Sequence, residues 1–343
     1  MRLLDDEHVF EVVVGVTVDD RGTYGISRPF ANSRRFTPGR FLRTTLRAVD
    51  AILVEATRGD VVEARHRAHA VAVAGGAVVA FAGDAELVTH FRSSAKPVQA
   101  LPLIRARSDL DDVEIAIACA SHLARPEQLA AVRSLLAKAP ADEDDLECGT
   151  RGADTGPTPI EHNCSGKHAG MLALCRARGW PIAGYRLLEH PCQQAMLGEV
   201  AAAAEVDPRE IPIGVDGCGI PTFALPLERM AHAFSRLAEL DGGARATDAM
   251  QAHPELIRGP GAADTLLMQT LPGWVAKGGA EGLLCAVSAD GIGVALKVED
   301  GSQRAVRSAL GSFLARLGVD AGELGEVPIE NSRGEIVGAL RAV

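Results

Sequence analysis

The chain is 343 residues long, 47% hydrophobic and 23% charged, which excludes a disordered polyelectrolyte and leaves room for one large domain or two modest ones. Its net charge of −10 and pI near 5.5 exclude the broad basic field that nucleic-acid and anionic-membrane binders need. No window approaches the roughly 20 consecutive apolar residues of a membrane span, and Met1 to Glu7 is acidic where a secretory signal is basic, so a cytoplasmic protein acting on a small molecule is expected.

The first fifty residues differ from the rest. Arg21 to Val49 holds seven arginines and no acid, and four of the nine phenylalanines fall by Phe41. Residues 1–50 read as a loosely attached or disordered extension and residues 51–343 as the folded domain; a basic arm for an acidic partner is the other reading of the extension. Val71 to Ala74, Gly75-Gly76 and Ala77 to Phe81 then give a hairpin signature, two β-prone runs around a Gly-Gly pair. Val113 to Cys119 reads as a buried strand. Pro126 to Ala139 reads as a helix, with Pro at its start and Leu129, Val132, Leu135 and Leu136 at helical spacing. Further helices are expected over Gly166 to Arg178, Cys192 to Glu205, Leu227 to Leu240, Thr247 to His253 and Arg304 to Leu317. A second hairpin joins Leu283 to Ser288 with Ile292 to Glu299. Strands at both ends with helices between them predict an α+β fold, one antiparallel sheet formed from both terminal regions with a largely helical lobe inserted over about residues 94–270. The seven cysteines are odd in number and widely spread, which points to reduced thiols rather than a disulfide framework.

The basic residues are unevenly chosen. Thirty of the 35 are arginine; only Lys96, Lys138, Lys167, Lys277 and Lys297 are lysine. Arginine stays charged at any accessible pH, whereas a desolvated lysine can lose its proton and serve as a base or ligand. Lys96, Lys167 and Lys277 lie in segments rich in Ser, Cys, Gly and His, where that property is useful. Lys138 and Lys297 have ordinary neighbours and read as solvated charge. Codon bias with chance survivors is the bland alternative.

Ser93-Ser94-Ala95-Lys96 is an S-x-x-K pattern. At a helix start, Ser93 and Lys96 share a face, close enough for a neutral amine to take the serine proton; Ser94 points elsewhere. Pro97 is tolerated only in a first helical turn. Ala120-Ser121-His122 places a second hydroxyl at the end of an element, and Lys277-Gly278-Gly279 precedes the late hairpin. This order is similar to the S-x-x-K, S-D-N and K-T-G boxes of penicillin-recognising serine hydrolases, except that His122 and Leu123 replace the Asp-Asn and Gly278 the Thr. Asn163-Cys164-Ser165-Gly166-Lys167-His168 is not a phosphate loop, because Glu161 stands in place of the first glycine and His168 in place of the Ser/Thr. Cys164 and Cys218 either share a zinc ion as thiolates or line a pocket as free thiols. His66, His69, His232 and His253 suit packing or surface roles.

Taken in order, Arg92 to Pro97, Cys119 to His122, Asn163 to His168, Asp216-Gly217-Cys218-Gly219-Ile220-Pro221-Thr222 and Lys277 to Gly282 are similar to the rhizobial-type (class 3) L-asparaginases. The resemblance runs from about Ile52 to Val343. It implies a serine β-lactamase/glutaminase-like fold, a homodimer, and hydrolysis of L-asparagine to L-aspartate and ammonia. It also implies two Ser–Lys pairs, Ser93 with Lys96 and Ser121 with Lys277; a zinc set of Cys164, Lys167 and Cys218; and Arg92, His168 and Asp216 as substrate-binding residues.

The expected chemistry is acyl transfer through serine, with Ser93 favoured as nucleophile by the penicillin-hydrolase order and Ser121 a competitor because it has its own lysine. Arg92 and Asp216 would meet the α-carboxylate and α-ammonium of an amino-acid substrate. A glutaminase or other amidase on the same scaffold, and a non-catalytic amino-acid-binding relative, are the rivals. One methylene is worth only about 1–3 kcal/mol of discrimination, so a paired ammonia assay must separate asparagine from glutamine.

Overall fold

The computed structural model describes residues 50–150 and 157–343, and the extension expected at residues 1–50 lies outside the described residues except for Asp50. Strands β1 (Ile52–Arg58), β2 (Val61–Ala74) and β3 (Ala77–Ala82) come first, followed by a short β4 (Val88–His90). The helices α1 (Lys96–Gln99), α2 (Leu101–Ala106), α3 (Asp112–Ala118), α4 (Pro126–Lys138), α5 (Ser165–Arg178) and α6 (Pro191–Ala204) come next. Strands β5 (Ile213–Val215) and β6 (Pro221–Pro226) lead into α7 (Leu227–Ser235), α8 (Gly243–Ala252), α9 (Pro254–Ile257) and α10 (Ala263–Thr270). The chain closes with β7 (Val275–Gly278), β8 (Leu283–Val287), β9 (Gly293–Val298), α11 (Val306–Arg316), β10 (Glu326–Glu330) and β11 (Ile336–Ala342).

The large sheet runs β10-β11-β1-β2-β9-β8-β7, with β3 on the same edge of β2 as β1. Every pairing in it is antiparallel. This is the expected α+β plan, with both terminal regions in one sheet. The β2–β3 hairpin turns at Gly75 and Gly76, whose φ angles of +56° and +79° only glycine adopts without strain. Two positive φ angles in a two-residue loop are what the sheet's right-handed twist requires. A smaller sheet, β4-β6-β5, lies among the helices.

Side chains alternate across the large sheet, as the two-residue period of a strand dictates. Ile52, Val54, Ala70, Ala72 and Leu296 pack with Leu310 and Phe313 of α11. Val71, Val73, Cys285 and Ala295 face the other way, into the core of the helical lobe. In β7, Val275 belongs to the lobe side and Ala276 to the α11 side, so Lys277 also faces the lobe. The candidate site residues gather at that boundary.

Two expected elements differ. Val113 to Cys119 is not a strand but part of α3. Asp111 accepts from Glu114 N at 2.9 Å while Glu114 Oε2 accepts from Asp111 N at 3.0 Å, and this reciprocal capping box nucleates a helix. A short apolar run looks the same in either element, so the Asp-x-x-Glu box was the informative signal. The helix beginning at Leu227 ends at Ser235, and a 3-10 turn, Leu237–Glu239, carries the rest.

Candidate active site

Arg92–Ala95 forms one 3-10 turn that runs directly into α1 at Lys96. Phe91 N donates to Phe223 O at 2.7 Å, and Arg92 N donates to Thr222 Oγ1 at 3.2 Å, so β6 fixes the entry to the turn. Arg92 has φ +46°, a left-handed conformation that costs a non-glycine residue about 1–3 kcal/mol. The turn presents Ser93 to a cavity of about 740 Å3. Ser94 points the other way and donates to Lys277 O at 2.8 Å, tying the turn to β7. Pro97 sits in the first turn of α1, where its missing N–H leaves no helical bond unmade.

Ser121 reaches the same cavity from the end of α3. Its N–H donates to Ile257 O at 2.7 Å, and Arg258 Nη1 donates to Ser121 O at 3.1 Å. Lys96, 1% exposed, places its amine 3.0 Å from Ser121 Oγ and on Ala120 O. The Lys96 hydrogen bond therefore goes to Ser121 rather than to Ser93, because α1 carries Lys96 away from the cavity wall and toward the end of α3. Next to Ser121, His122 Nε2 bonds Ser165 Oγ at 2.7 Å, and His122 Nδ1 accepts from Ala124 N at 3.0 Å. Burial lowers the His122 pKa to about 4, so the ring is neutral and joins α3 to the start of α5.

Lys277 is fully buried. Its amine donates to Gly278 O at 2.6 Å and lies 3.6 Å from Asp264 Oδ2. Burial lowers its pKa to about 8, and the Asp264 carboxylate opposes that shift. Asp264 is itself held by Gly278 N at 2.8 Å and Thr265 N at 2.9 Å. Ser121 and Lys277 are not joined by a hydrogen bond here; Asp264 takes the place expected for Ser121.

Behind the cavity lies a thiol cluster. Gly166 lets α5 sit tightly on α3: a Cβ there would come within 2.2 Å of Ile117 O, which brings Cys164 and Lys167 against the segment that carries Ser121. The Cys218 thiol bonds the Cys164 sulfur, which pulls the Cys164 pKa well below its ordinary value and pushes that of Cys218 well above; the nearby Lys96 charge also favours the Cys164 thiolate. Lys167 bonds Gln99 Oε1, and burial lowers its pKa to about 8 against the charges of Cys218 and Cys164. Among the described residues no group of three His, Cys, Asp or Glu side chains forms a metal cage, so a third protein ligand beside the two sulfurs would be the Lys167 amine. Two touching thiols and an amine already eased toward its neutral form are a donor set that fits zinc.

The remaining sequence candidates divide. Arg92 Nε donates to Asp216 Oδ1 at 2.9 Å, so the two proposed substrate ligands pair with each other. Arg92 lines the cavity and holds Asp216, which is not itself among the lining residues. His168 is fully buried and does not line the cavity; its Nδ1 accepts from Tyr185 Oη at 2.7 Å, and its Nε2 has no partner. All seven cysteines are free and buried. Lys297 corrects the reading of it as a solvated residue: it is 8% exposed on β9, and its amine bonds Val298 O.

Sequence reasoning passed over Asp264 and Arg258, which line the cavity together with Asn163. Their signal was the run Arg258-Gly259-Pro260-Gly261-Ala262-Ala263-Asp264, a glycine-rich loop with a charge at each end. Such loops allow close approach to a ligand.

A family model described as L-asparaginase II matches residues 54–342. No curated protein matches the chain. Among solved structures, a β-lactamase from Desulfarculus baarsii DSM 2075 is similar, with 18% identity over 69% of this chain and 84% of that one and a TM-score of 0.33. The match along nearly all of the folded region means that the chain belongs to the L-asparaginase II family and is an L-asparaginase, an amidohydrolase that converts L-asparagine to L-aspartate and ammonia.

Proposed function

We propose that this asparaginase works by acyl transfer through Ser93, with Lys96 as its base and Ser121 as the hydroxyl that holds the amine. The observation that carries this reading is the strained turn at Arg92, φ +46°, which presents Ser93 to the cavity directly before Lys96. Ser93 Oγ attacks the side-chain amide carbon as its proton passes to the Lys96 amine, which must first shed its own proton, with Ser121 able to relay the transfer. The C–N bond then breaks, and the ammonium of Lys96 returns the proton to the departing ammonia. Water attacks the ester and gives a proton to Lys96, which passes it to Ser93 Oγ as the ester C–O bond breaks, freeing aspartate and restoring the serine. Lys277, with a pKa near 8, keeps a second amine at the site that protonates and deprotonates near neutrality.

Arg92 and Asp216 supply one charge of each sign for the two α-substituents, exchanging their mutual ion pair for substrate contacts. His168 supports the cluster from behind through Tyr185. Cys164, Cys218 and Lys167 would hold zinc, which would supply a fixed positive charge and keep the thiols deprotonated. The family resemblance also supports a homodimer in the cytoplasm; among the described residues no helix is long and apolar enough to cross a membrane. Light scattering in solution tests the dimer, and metal analysis before and after chelation tests the zinc.

The 3.0 Å contact itself favours a second reading, in which Ser121 is the nucleophile. The strained φ of Arg92, which orients Ser93 toward the cavity, weighs for the first. Trapping the acyl-enzyme by mass spectrometry in S93A and S121A decides between them: an adduct that persists in S93A and vanishes in S121A overturns the assignment to Ser93.

A further inference from the structure

The cavity is larger than one amino acid needs. Its volume of about 740 Å3 lies in the range of pockets that take drug-sized ligands. Beyond the Gly278-Gly279 segment it continues along the start of α11, where Gln303, Arg304, Val306, Arg307 and Val327 line it. Gln303 Nε2 donates to Gly279 O at 2.8 Å, which fastens this arm to the strand that carries Lys277.

Both arginines are held from behind. Arg304 Nε donates to His66 Nε2 at 3.0 Å, and His66 Nδ1 lies 2.6 Å from Asp300 Oδ2. Since Nε2 accepts, Nδ1 carries the proton and donates to Asp300, so the buried imidazole acts as a neutral strut. Arg307 Nη2 donates to Glu323 O at 2.8 Å, and its Nε is buried without a partner. Neither guanidinium makes an ion pair among the described residues. Of the acids that line the cavity, Asp264 is tied to Lys277 and two amides, while Glu281 makes no ion pair among the described residues and acts on Lys297 through its charge alone; Arg304 in turn feels the charge of Glu63, which itself pairs with Arg58. Two guanidinium groups one helical turn apart suit a carboxylate, which each can bind through parallel N–H donors. Val306, Val327 and Leu284 line the same cavity and suit the uncharged part of a ligand.

We propose that this arm binds a carboxylate carried on a peptide extension of asparagine, so that the enzyme also deamidates an amino-terminal asparagine residue of a short peptide. The proposal rests on reading this cavity as the site of amide hydrolysis.

The test compares ammonia release by the full chain from L-asparagine, L-asparaginyl-glycine and L-asparaginyl-glycinamide, which lacks the terminal carboxylate. In the wild type, kcat/KM for the dipeptide is expected to exceed that for its amide by about tenfold, the worth of one modest charge-assisted contact. R304Q/R307Q should erase that preference and leave L-asparagine turnover unchanged. Equal rates for dipeptide and amide in the wild type overturn the proposal, and this comparison does not depend on the variant folding. An equal loss on L-asparagine in the variant also overturns it. If added succinate alters asparagine turnover in the wild type but not in the variant, the arm serves a separate anion and the peptide extension is wrong. Should the full chain release no ammonia from L-asparagine, the hydrolytic reading fails on its own. Calorimetry with the dipeptide and its amide then still decides the subsite, by the presence or absence of the same preference in binding.

Discussion

The two faces of the large sheet are made by the same strands, yet one is apolar and the other faces the buried amines of the candidate site. Toward α11, Ile52, Val54, Ala70, Ala72, Leu296 and Phe313 form a continuous apolar layer. Toward the helical lobe, β2 and β9 meet α7, while β7, which carries Lys277, and β8 meet the Ser93 turn. Ala276 and Lys277 are adjacent in sequence, and the pleat sends them to opposite faces. A rigid dry face is what permits the other to keep amines buried: Lys96, Lys167 and Lys277 each have 6% exposure or less, an arrangement that costs stability unless the surrounding packing supplies it.

Substitutions on the two faces should therefore fail differently. On the chemical face, K96A and K277A are expected to lower kcat by at least about 100- to 10,000-fold, the usual worth of a positioned acid or base, with an unchanged far-UV circular dichroism spectrum. Arginine at either position should fail as badly, since it cannot shed its proton. On the dry face, F313A should cost about 3–5 kcal/mol of unfolding free energy while the molecules that remain folded keep their kcat. Equal loss of activity per folded molecule in F313A would erase the distinction.

The pH dependence sharpens the same contrast. With its pKa lowered to about 8, Lys277 is mostly protonated at pH 7, and its neutral fraction grows as pH rises. Activity that needs the neutral amine climbs through pH 8. Its unfolded-state pKa is about 10.4, so between about pH 8 and 10 the unfolded chain binds more protons, and this lysine adds stability as pH rises. Asp264 holds the Lys277 pKa up, so D264N should shift the rising limb of the pH–rate profile to lower pH. A profile that does not move would show that Lys277 is not the group titrating.

Much of this arrangement was legible in the sequence, and the omissions have physical causes. Gly75-Gly76 announced its hairpin because only one residue type fits two positive φ angles cheaply. The scarcity of lysine drew attention to Lys96, Lys167 and Lys277, whose amines are buried, but ordinary neighbours hid the fourth buried lysine, Lys297. Ser93 and Ser121 were found from local spacing, but the partner of Lys96 was not, since the contact from α1 to the end of α3 is set by helix packing. Asp264 was invisible for the same reason: its link to Lys277 exists only once α10 lies against β7. The α3 segment was misread because its apolar run fits a buried strand or a buried helix equally well, and only the Asp111–Glu114 cap distinguishes them.

The smallest expected effect concerns the two lysines that sequence alone sets aside together. Lys138 lies at the end of α4 with its side chain 37% exposed, and its amine donates to Asp109 O at 2.7 Å. K138R keeps the charge and has room for the larger head, so its unfolding free energy should stay within about 0.5 kcal/mol of the wild type. Lys297 sits on β9 between Leu296 and Val298, both buried in the dry layer, and burial lowers its own pKa. A guanidinium there must find extra volume and cannot neutralise itself, so K297R should cost about 1–3 kcal/mol, the usual price of overpacking. Paired denaturant titrations of K138R and K297R check this: equal midpoints would mean that Lys297 reaches solvent as freely as Lys138, and that the lobe-facing surface of β9 is not closed around its amine.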